Sequence, residues 1–444
     1  MKGIVISGTG SGVGKTSVTT GLLSRLSRTM RVQAYKVGPD FIDPMYHTAV
    51  TGRTSRNLDS FMMSRDVIRN LVGFSSKGAD LCVVEGVRGL YEGLTGTSDE
   101  CSTAEMAKML GFPVILVVNA RSLTRSAAAI INGFRSFDRD VNIKGVILNN
   151  VSGRNHELKL RDALERYTDV NVVGIVRRNA GAAVGERRQG LVTEYSRDKK
   201  KTDAMEDLVS EIDVNMIMDA AGSADAVFPE NAPYTEREAA VKVAVPADDA
   251  FCFYYRENIE CMQASGAKVI TFRPCDGDSL PDADIYYLGG GYPELHPELS
   301  QNKDLTEGLR NASEEGRIVI GEGGGMMAMC RSVASEHTKI GMSGIFDADA
   351  RITKDRHGPS YVVASPTSDN PLFKSTVRGH EFHYSEIVTD GGVRFGFSMA
   401  RGEGMRNGMD GMIVRNSIGS YFHQHALSSK DWFGPILERL SDAD

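Results

Sequence analysis

Short apolar runs alternate with stretches of helical periodicity through the first half of the chain. Residues 2–7 read as a strand, 17–26 as an apolar helix, and further strands are expected at 32–37, 81–84, 113–118, 144–148 and 172–176. Strands that alternate with helices predict an α/β domain, a parallel sheet covered on both faces with ligands at the carboxyl ends of its strands. From about residue 178 to 241 charged and small residues take over, with a helical segment near 204–218 and linker-like stretches at 220–225 and 229–237. A second alternating region then runs through 241–246, 268–273 and 283–291. The pattern divides the chain into residues 1–195, a linker region 196–240, and a second α/β domain 241–444.

The first strand runs directly into Gly8-Thr9-Gly10-Ser11-Gly12-Val13-Gly14-Lys15-Thr16. Strand, glycine-rich turn and helix is the context of a phosphate-binding loop. Glycines let successive N–H groups turn toward one anion, and the helix N-terminus adds partial positive charge. Gly10, Ser11, Gly12, Val13, Gly14, Lys15 and Thr16 are the candidate nucleotide contacts, with Lys15 reaching the outer phosphates and Thr16 ligating Mg2+. The first glycine of the usual spacing would fall at Thr9, and Gly8 is one residue early. A glycine turn before a buried helix is the plainer alternative.

Chemistry-bearing residues gather where the next strands should end. Lys36-Val37-Gly38-Pro39-Asp40-Phe41-Ile42-Asp43-Pro44 places Asp40 and Asp43 on a proline-stiffened loop, suited to Mg2+ or to a substrate group. Asn57-Leu58-Asp59 offers a further acidic contact. Glu85, at a strand tip, stands where a second Mg2+ ligand belongs, although aspartate is usual there, and a buried carboxylate without a partner would be costly, which favours a metal or lysine partner. Asn149 and Asn150 follow a later strand, with Asn150 the candidate contact to a purine edge, or a turn residue.

Composition narrows the partners. The 444 residues exceed one ordinary core, and 41% hydrophobic with 25% charged residues is ordinary for a soluble protein. A formal charge of −7 argues against a nucleic-acid partner. The run Lys199-Lys200-Lys201 reads as a solvated linker. Cys82, Cys101, Cys252, Cys261, Cys275 and Cys330 lack metal-ligand spacing in the sequence and suit reduced thiols. The chain opens on a strand and has no bilayer-length apolar run, so a cytoplasmic protein with no membrane partner is expected.

The phosphate loop, Lys-Val-Gly-Pro-Asp-Phe-Ile-Asp-Pro from Lys36, and Val-Glu-Gly-Val-Arg-Gly-Leu-Tyr-Glu-Gly from Val84 resemble the a,c-diamide synthases of tetrapyrrole biosynthesis over nearly the whole chain. The resemblance implies an N-terminal domain similar to dethiobiotin synthetase, whose loop shares the one-residue offset, and a C-terminal domain similar to class I glutamine amidotransferases. Departures occur too: Arg177 stands where a proline is common, and Arg188, within Glu186–Leu191, where the substrate side usually carries histidine.

In the second domain, Gly289-Gly290-Gly291-Tyr292-Pro293-Glu294 resembles the oxyanion-stabilising loop, whose glycines expose N–H groups; a tight turn is the alternative. Residues 317–327 read as a strand, a sharp turn and a helix, the form of a nucleophile elbow. The family's nucleophilic cysteine would stand at Gly323. A hydrogen atom cannot attack a carboxamide, so the thioester route is closed. Cys330 lies seven residues along, roughly 10 Å of helix rise away. His423, in Tyr421-Phe422-His423-Gln424-His425, matches the general base, while the histidines of Arg378–Ser385 are assigned no catalysis. Gly323 fits a substitution in an otherwise glutamine-using enzyme, a natural enzyme fed by ammonia, or a decayed paralogue.

The resemblance implies ATP-dependent amidation of two acetate side chains through an acyl phosphate, with ATP, Mg2+, a tetrapyrrole, and glutamine or ammonia as small-molecule partners. Thr16, Asp43 and Glu85 are the metal candidates; Gly323, His423, Asp40 and Asp43 are the catalytic positions. Asn57–Met63 and His357–Pro359 resemble the archaeal nickel-sirohydrochlorin branch, and the cobyrinic acid branch is the alternative. A partitioning ATPase would want a second lysine early in the loop, and residues 8–13 have none. A non-catalytic tetrapyrrole carrier is the other competing class. The oligomeric state is left open, a homodimer included.

Overall fold

β1 (Gly3–Gly8) is buried along its whole length, which is why its sequence is a continuous apolar run rather than an alternating one. The computed structural model describes residues 1–178, 199–224, 226–389 and 391–441, and the chain divides into two compact units, Met1–Pro233 and Tyr234–Asp444. After β1 the first unit continues as α1 (Lys15–Ser27), β2 (Val32–Val37), α2 (Ile42–Thr51), β3 (Arg56–Leu58), α3 (Arg65–Ser75), β4 (Leu81–Glu85), α4 (Thr103–Leu110), β5 (Val114–Asn119), α5 (Arg125–Phe137), β6 (Ile143–Val151), α6 (Arg154–Tyr167) and β7 (Asn171–Arg177). The described strands form one seven-stranded sheet in the order β3-β2-β4-β1-β5-β6-β7, with every pairing parallel. The chain moves to one side of β1 for β2 to β4 and to the other for β5 to β7. The crevice at the end of β1 is therefore the switch point at which α/β sheets bind ligands.

Residues 199–222 fall in the region 196–240, where a helical segment was expected near 204–218. They form α7 (Lys199–Leu208) and α8 (Val214–Gly222). Met205, Val209, Ile212, Ile217 and Ala221 are buried, several in one cluster with Ile4, Val18 and Leu22 of the first unit. Gly21 of α1 has no side chain, so the carbonyl of Met205 lies against its Cα. Lys199 and Lys200 are thus the exposed start of a packed helix, while Lys201 Nζ donates to the Tyr46 hydroxyl at 3.1 Å.

The second unit contains β8 (Lys242–Pro246), α9 (Arg256–Ala264), β9 (Lys268–Phe272), β10 (Ile285–Leu288), α10 (Lys303–Glu314), β11 (Ile318–Glu322), α11 (Gly324–Met329), β12 (Ser332–Ala334), β13 (Lys339–Gly341), β14 (Asp349–Pro366), β15 (Val377–Val388), β16 (Phe395–Arg401), β17 (Met409–Val414), β18 (Ser417–Ser420), β19 (His423–Gln424) and α12 (Gly434–Ser441). β9, β8, β10, β11 and β18 pair in parallel. From β18 the sheet continues antiparallel through β17, β16 and β14, and β15 hairpins onto β14 and carries β19. The antiparallel arm was not expected: β14 is mostly polar and only partly buried, so it carries little apolar signal. No helix among the described residues is long and apolar enough to cross a membrane.

Candidate functional site

The first constellation lies at the carboxyl ends of β1, β2 and β4. Gly12 and Gly14 turn the loop at φ 72° and 96°, backbone that side chains rarely adopt. Lys15 Nζ donates to the Gly10 carbonyl at 3.0 Å, folding its side chain back over the loop. Asn149, at the end of β6, donates from Nδ2 to the Val13 carbonyl at 2.8 Å and braces the loop from the other side.

Thr16, the second residue of α1, faces two carboxylates from different elements. Its Oγ1 donates to Glu85 Oε1 at 2.8 Å and lies 3.3 Å from Asp43 Oδ2. Lys36, at the end of β2, completes the group: its Nζ is 2.6 Å from Asp43 Oδ2 and 2.8 Å from Glu85 Oε1, and it donates to the Gly86 carbonyl at 3.2 Å. His47 Nε2 meets the other Glu85 oxygen at 2.7 Å. Lys36, Asp43, His47 and Glu85 are all buried.

The electrostatics follow from that packing. Burial, reinforced by Lys36, pushes Lys15 down to about 8 against the pull of Glu85 and Asp43. Burial also opposes the charge on Lys36, but Asp43, Glu85 and Asp40 outweigh it and hold Lys36 above its ordinary value. Glu85 would be raised by burial, yet Lys36 and His47 hold it well below the usual carboxylate range. Oxygens of Asp43 and Glu85 thus already converge on a cationic nitrogen, with the Thr16 hydroxyl beside both carboxylates. An all-oxygen donor set fits Mg2+.

Asp40 Oδ1 accepts the N–H groups of Ile42 at 2.8 Å and Asp43 at 3.3 Å, so it shapes the entry to α2 and aims Asp43. Asn57, on β3, donates to the carbonyls of Gly38 and Asp40, and Asp59 accepts from the N–H groups of Phe61 and Met62. Asn150 sits at φ 63° and donates to Asn119 Oδ1 at 3.0 Å, bridging the ends of β6 and β5. Arg177 pairs with Glu157 and Glu211 at 2.6 and 2.7 Å. Arg188 and the rest of Glu186–Leu191 lie outside the described residues. Lys36 and His47 were missed as chemistry in the sequence. Lys36 was visible inside its motif, but only the fold shows that one lysine serves two carboxylates.

The second constellation lies at the end of β11. Gly323 has φ 51° and ψ −112°, the strained backbone of a nucleophile elbow. A Cβ built on it would sit 2.8 Å from His423 Nε2 and 2.9 Å from Cε1, so a side chain at 323 would point at the imidazole. On the far side of the ring, Glu322 Oε2 lies 3.6 Å from His423 Nδ1, in ion-pair range but beyond a good hydrogen bond. Glu322 is fixed by the Tyr287 hydroxyl at 3.2 Å and the Gln424 N–H at 3.3 Å. A carboxylate in ion-pair range of His423, missed in the sequence, thus directly precedes Gly323.

His380 stacks on His423 with ring centroids 5.1 Å apart, and burial with two neighbouring histidines keeps it well below its usual value. The glycine loop is tighter than expected. Gly289 N–H is spent on the Tyr254 hydroxyl at 2.9 Å and Gly290 N–H on the Phe253 carbonyl at 3.1 Å. Cys330 is wholly buried, its Sγ 3.7 Å from the Met326 carbonyl, and burial pushes its thiol up to about 12. It has the surroundings of an inert core thiol.

Comparison with known proteins agrees with both halves. Residues 4–191 match the CobQ/CobB/MinD/ParA nucleotide binding domain, and residues 242–431 the CobB/CobQ-like glutamine amidotransferase domain. A cobyrinate a,c-diamide synthase of Methanothermobacter thermautotrophicus is 42% identical over 438 residues, 96% of each chain. Its counterpart in Methanocaldococcus jannaschii is 42% identical over 437 residues, 97% of each, and that of Methanosphaera stadtmanae 40% over 445 residues, again 97% of each. With the nucleotide loop in place and relatives matched along their full length, the chain belongs to the cobyrinate a,c-diamide synthase family, carbon–nitrogen ligases that carry a glutamine amidotransferase domain.

Proposed function

We propose that this protein uses ATP to amidate the a and c acetate side chains of nickel-sirohydrochlorin, and that ammonia rather than glutamine supplies the nitrogen. The observation that carries the activation step is the meeting of Thr16, Asp43, Glu85 and Lys36 at the end of the phosphate loop. A carboxylate is a poor acyl donor, and its oxygen leaves readily only as phosphate. Lys15 and the loop N–H groups would hold the triphosphate, and Lys36 would stand beside the oxygens between which the phosphoryl group moves. Thr16, Asp43 and Glu85 would hold Mg2+, which when bound offsets phosphate charge. Asp40 keeps Asp43 aimed, and His47 orients Glu85. Attack of ammonia on the acyl phosphate gives the amide and inorganic phosphate. Six cysteines that form no disulfide suit a reducing, cytoplasmic setting.

The nitrogen source follows from Gly323. The sharp turn, His423 and Glu322 lie together, which supports a glutaminase-like site, but the side chain that would attack glutamine is a hydrogen atom. The nickel substrate rests on the resemblance of Asn57–Met63 and His357–Pro359 to that branch. The names of the relatives favour a second reading, cobyrinate.

The test supplies the full chain with ATP, Mg2+ and either tetrapyrrole, with ammonium or glutamine as donor, and follows amides by mass spectrometry. Diamide from nickel-sirohydrochlorin with ammonium alone is expected. Diamide from cobyrinate only would replace the substrate, glutamine-driven turnover would remove the ammonia assignment, and no amide from any pair would remove the function.

A further inference from the structure

Away from both constellations, three side chains with transition-metal chemistry converge in the second unit. Cys275 lies in the single 3-10 turn Pro274–Asp276 that follows β9, and Glu298 in the 3-10 segment Pro297–Gln301. His296 stands just before Pro297. One donor atom from each of Cys275, His296 and Glu298 lies within 4.8 Å of the other two. We propose that Cys275, His296 and Glu298 form a binding site for one divalent transition-metal ion of the zinc class.

The donor set carries the identity. Sulfur, imidazole nitrogen and carboxylate oxygen together suit zinc or cobalt and are foreign to Mg2+ or Ca2+, which take oxygen. The site therefore differs in kind from the all-oxygen group around Thr16. Bonds of roughly 2.0–2.3 Å to a tetrahedral ion would bring the donors to about 3.5 Å from one another. Rotations of half-buried or exposed side chains supply that contraction. His296 Nδ1 and Glu298 Oε1, hydrogen-bonded at 2.8 Å, would open slightly onto the ion.

The backbone holds the three together without an ion. Asp248, fully buried, accepts the Cys275 N–H at 2.7 Å and those of Ala250 and Phe251 at 3.0 and 3.2 Å. Asn302 Nδ2 donates to the Pro274 carbonyl at 3.1 Å and the Asp278 carbonyl at 3.0 Å, tying the Cys275 turn to the segment that carries Glu298. Leu299, buried beside Glu298, anchors that segment in the core. Three protein ligands leave a fourth position for water. His296 follows the Gly289–Glu294 stretch by two residues, so a bound ion fastens the exit of the glycine loop to the end of β9.

The experiment uses the reduced, metal-stripped full chain and titrates it with Co2+, whose thiolate bond gives a charge-transfer absorption. One equivalent is expected to bind with that absorption, to be displaced by Zn2+, and to raise the melting temperature. Cys275→Ser is expected to lose the absorption and Glu298→Gln to weaken binding, with far-ultraviolet circular dichroism and ATP binding unchanged. Where Cys275→Ser does not fold, His296→Gln replaces it, with the same loss expected. No thiolate absorption in the unaltered chain overturns the proposal, as does absorption that survives in the folded variant.

Discussion

Lys36 places its ammonium 2.6 Å from Asp43 and 2.8 Å from Glu85, in a pocket where all three side chains are buried. The lysine occupies the point on which the two carboxylates proposed to hold Mg2+ converge. Removing one partner of a buried ion pair costs about 3–5 kcal/mol, because the other charge stays buried and uncompensated. Lys36→Met should lose about that much stability in chelator, read by denaturant unfolding. Mg2+ with nucleotide should return part of it, since the two carboxylates then regain a cation. A variant as stable as the parent would deny the pocket its charge balance.

Lys15 makes nucleotide affinity depend on pH. Its folded value, near 8, lies below the ordinary 10.5, so the free site loses this proton as pH rises through 8. A triphosphate binds the charged form better and must then draw a proton back. Affinity is expected to fall as pH rises above about 8, as titration calorimetry in buffers of different ionisation enthalpy would show through proton uptake. Lys15→Met should bind weakly at every pH without that inflection.

Asn149 braces the phosphate loop through one hydrogen bond, from Nδ2 to the Val13 carbonyl. Such a bond contributes about 1 kcal/mol, close to fivefold in an equilibrium constant. Asn149→Ala is expected to weaken ATP binding by about that factor while melting stays within a few degrees. An unchanged affinity would mean that the loop holds its shape unaided.

Restoring a thiol at 323 tests the nitrogen source. Gly323→Cys places Cβ within 2.9 Å of the imidazole, so the His423 ring must shift to make room. The positive φ adds a strain of order 1–3 kcal/mol, read as lowered stability. The variant should nonetheless gain glutamine hydrolysis, and His423→Asn added to it should abolish that gain. Hydrolysis by the unaltered chain would show that another group attacks.

Legibility in the sequence followed the range of the physics. The phosphate loop was readable because its chemistry is local, a few backbone N–H groups and Lys15 next to one another in the chain. The strands of the first sheet were readable because both faces are buried, which leaves unbroken apolar runs. Lys36, His47 and Glu322 act through partners distant in sequence, and no spacing announces them. Asp40 and Asp43 look alike in the sequence; the fold makes the first a shaper of backbone and the second a partner of Thr16. β14 and β15 escaped because a half-exposed polar hairpin carries little hydrophobic signal. Of Gly289, Gly290 and Gly291, two N–H groups turned out to be spent on Tyr254 and Phe253, which composition cannot reveal.

The most direct test of the account follows an oxygen atom. The tetrapyrrole is labelled with heavy oxygen in its acetate carboxylates and turned over with ATP, Mg2+ and ammonium. If the pocket around Lys15, Lys36 and Glu85 activates the carboxylate as an acyl phosphate, each amide formed delivers one labelled oxygen to inorganic phosphate. Phosphate that stays unlabelled while amide accumulates would contradict it.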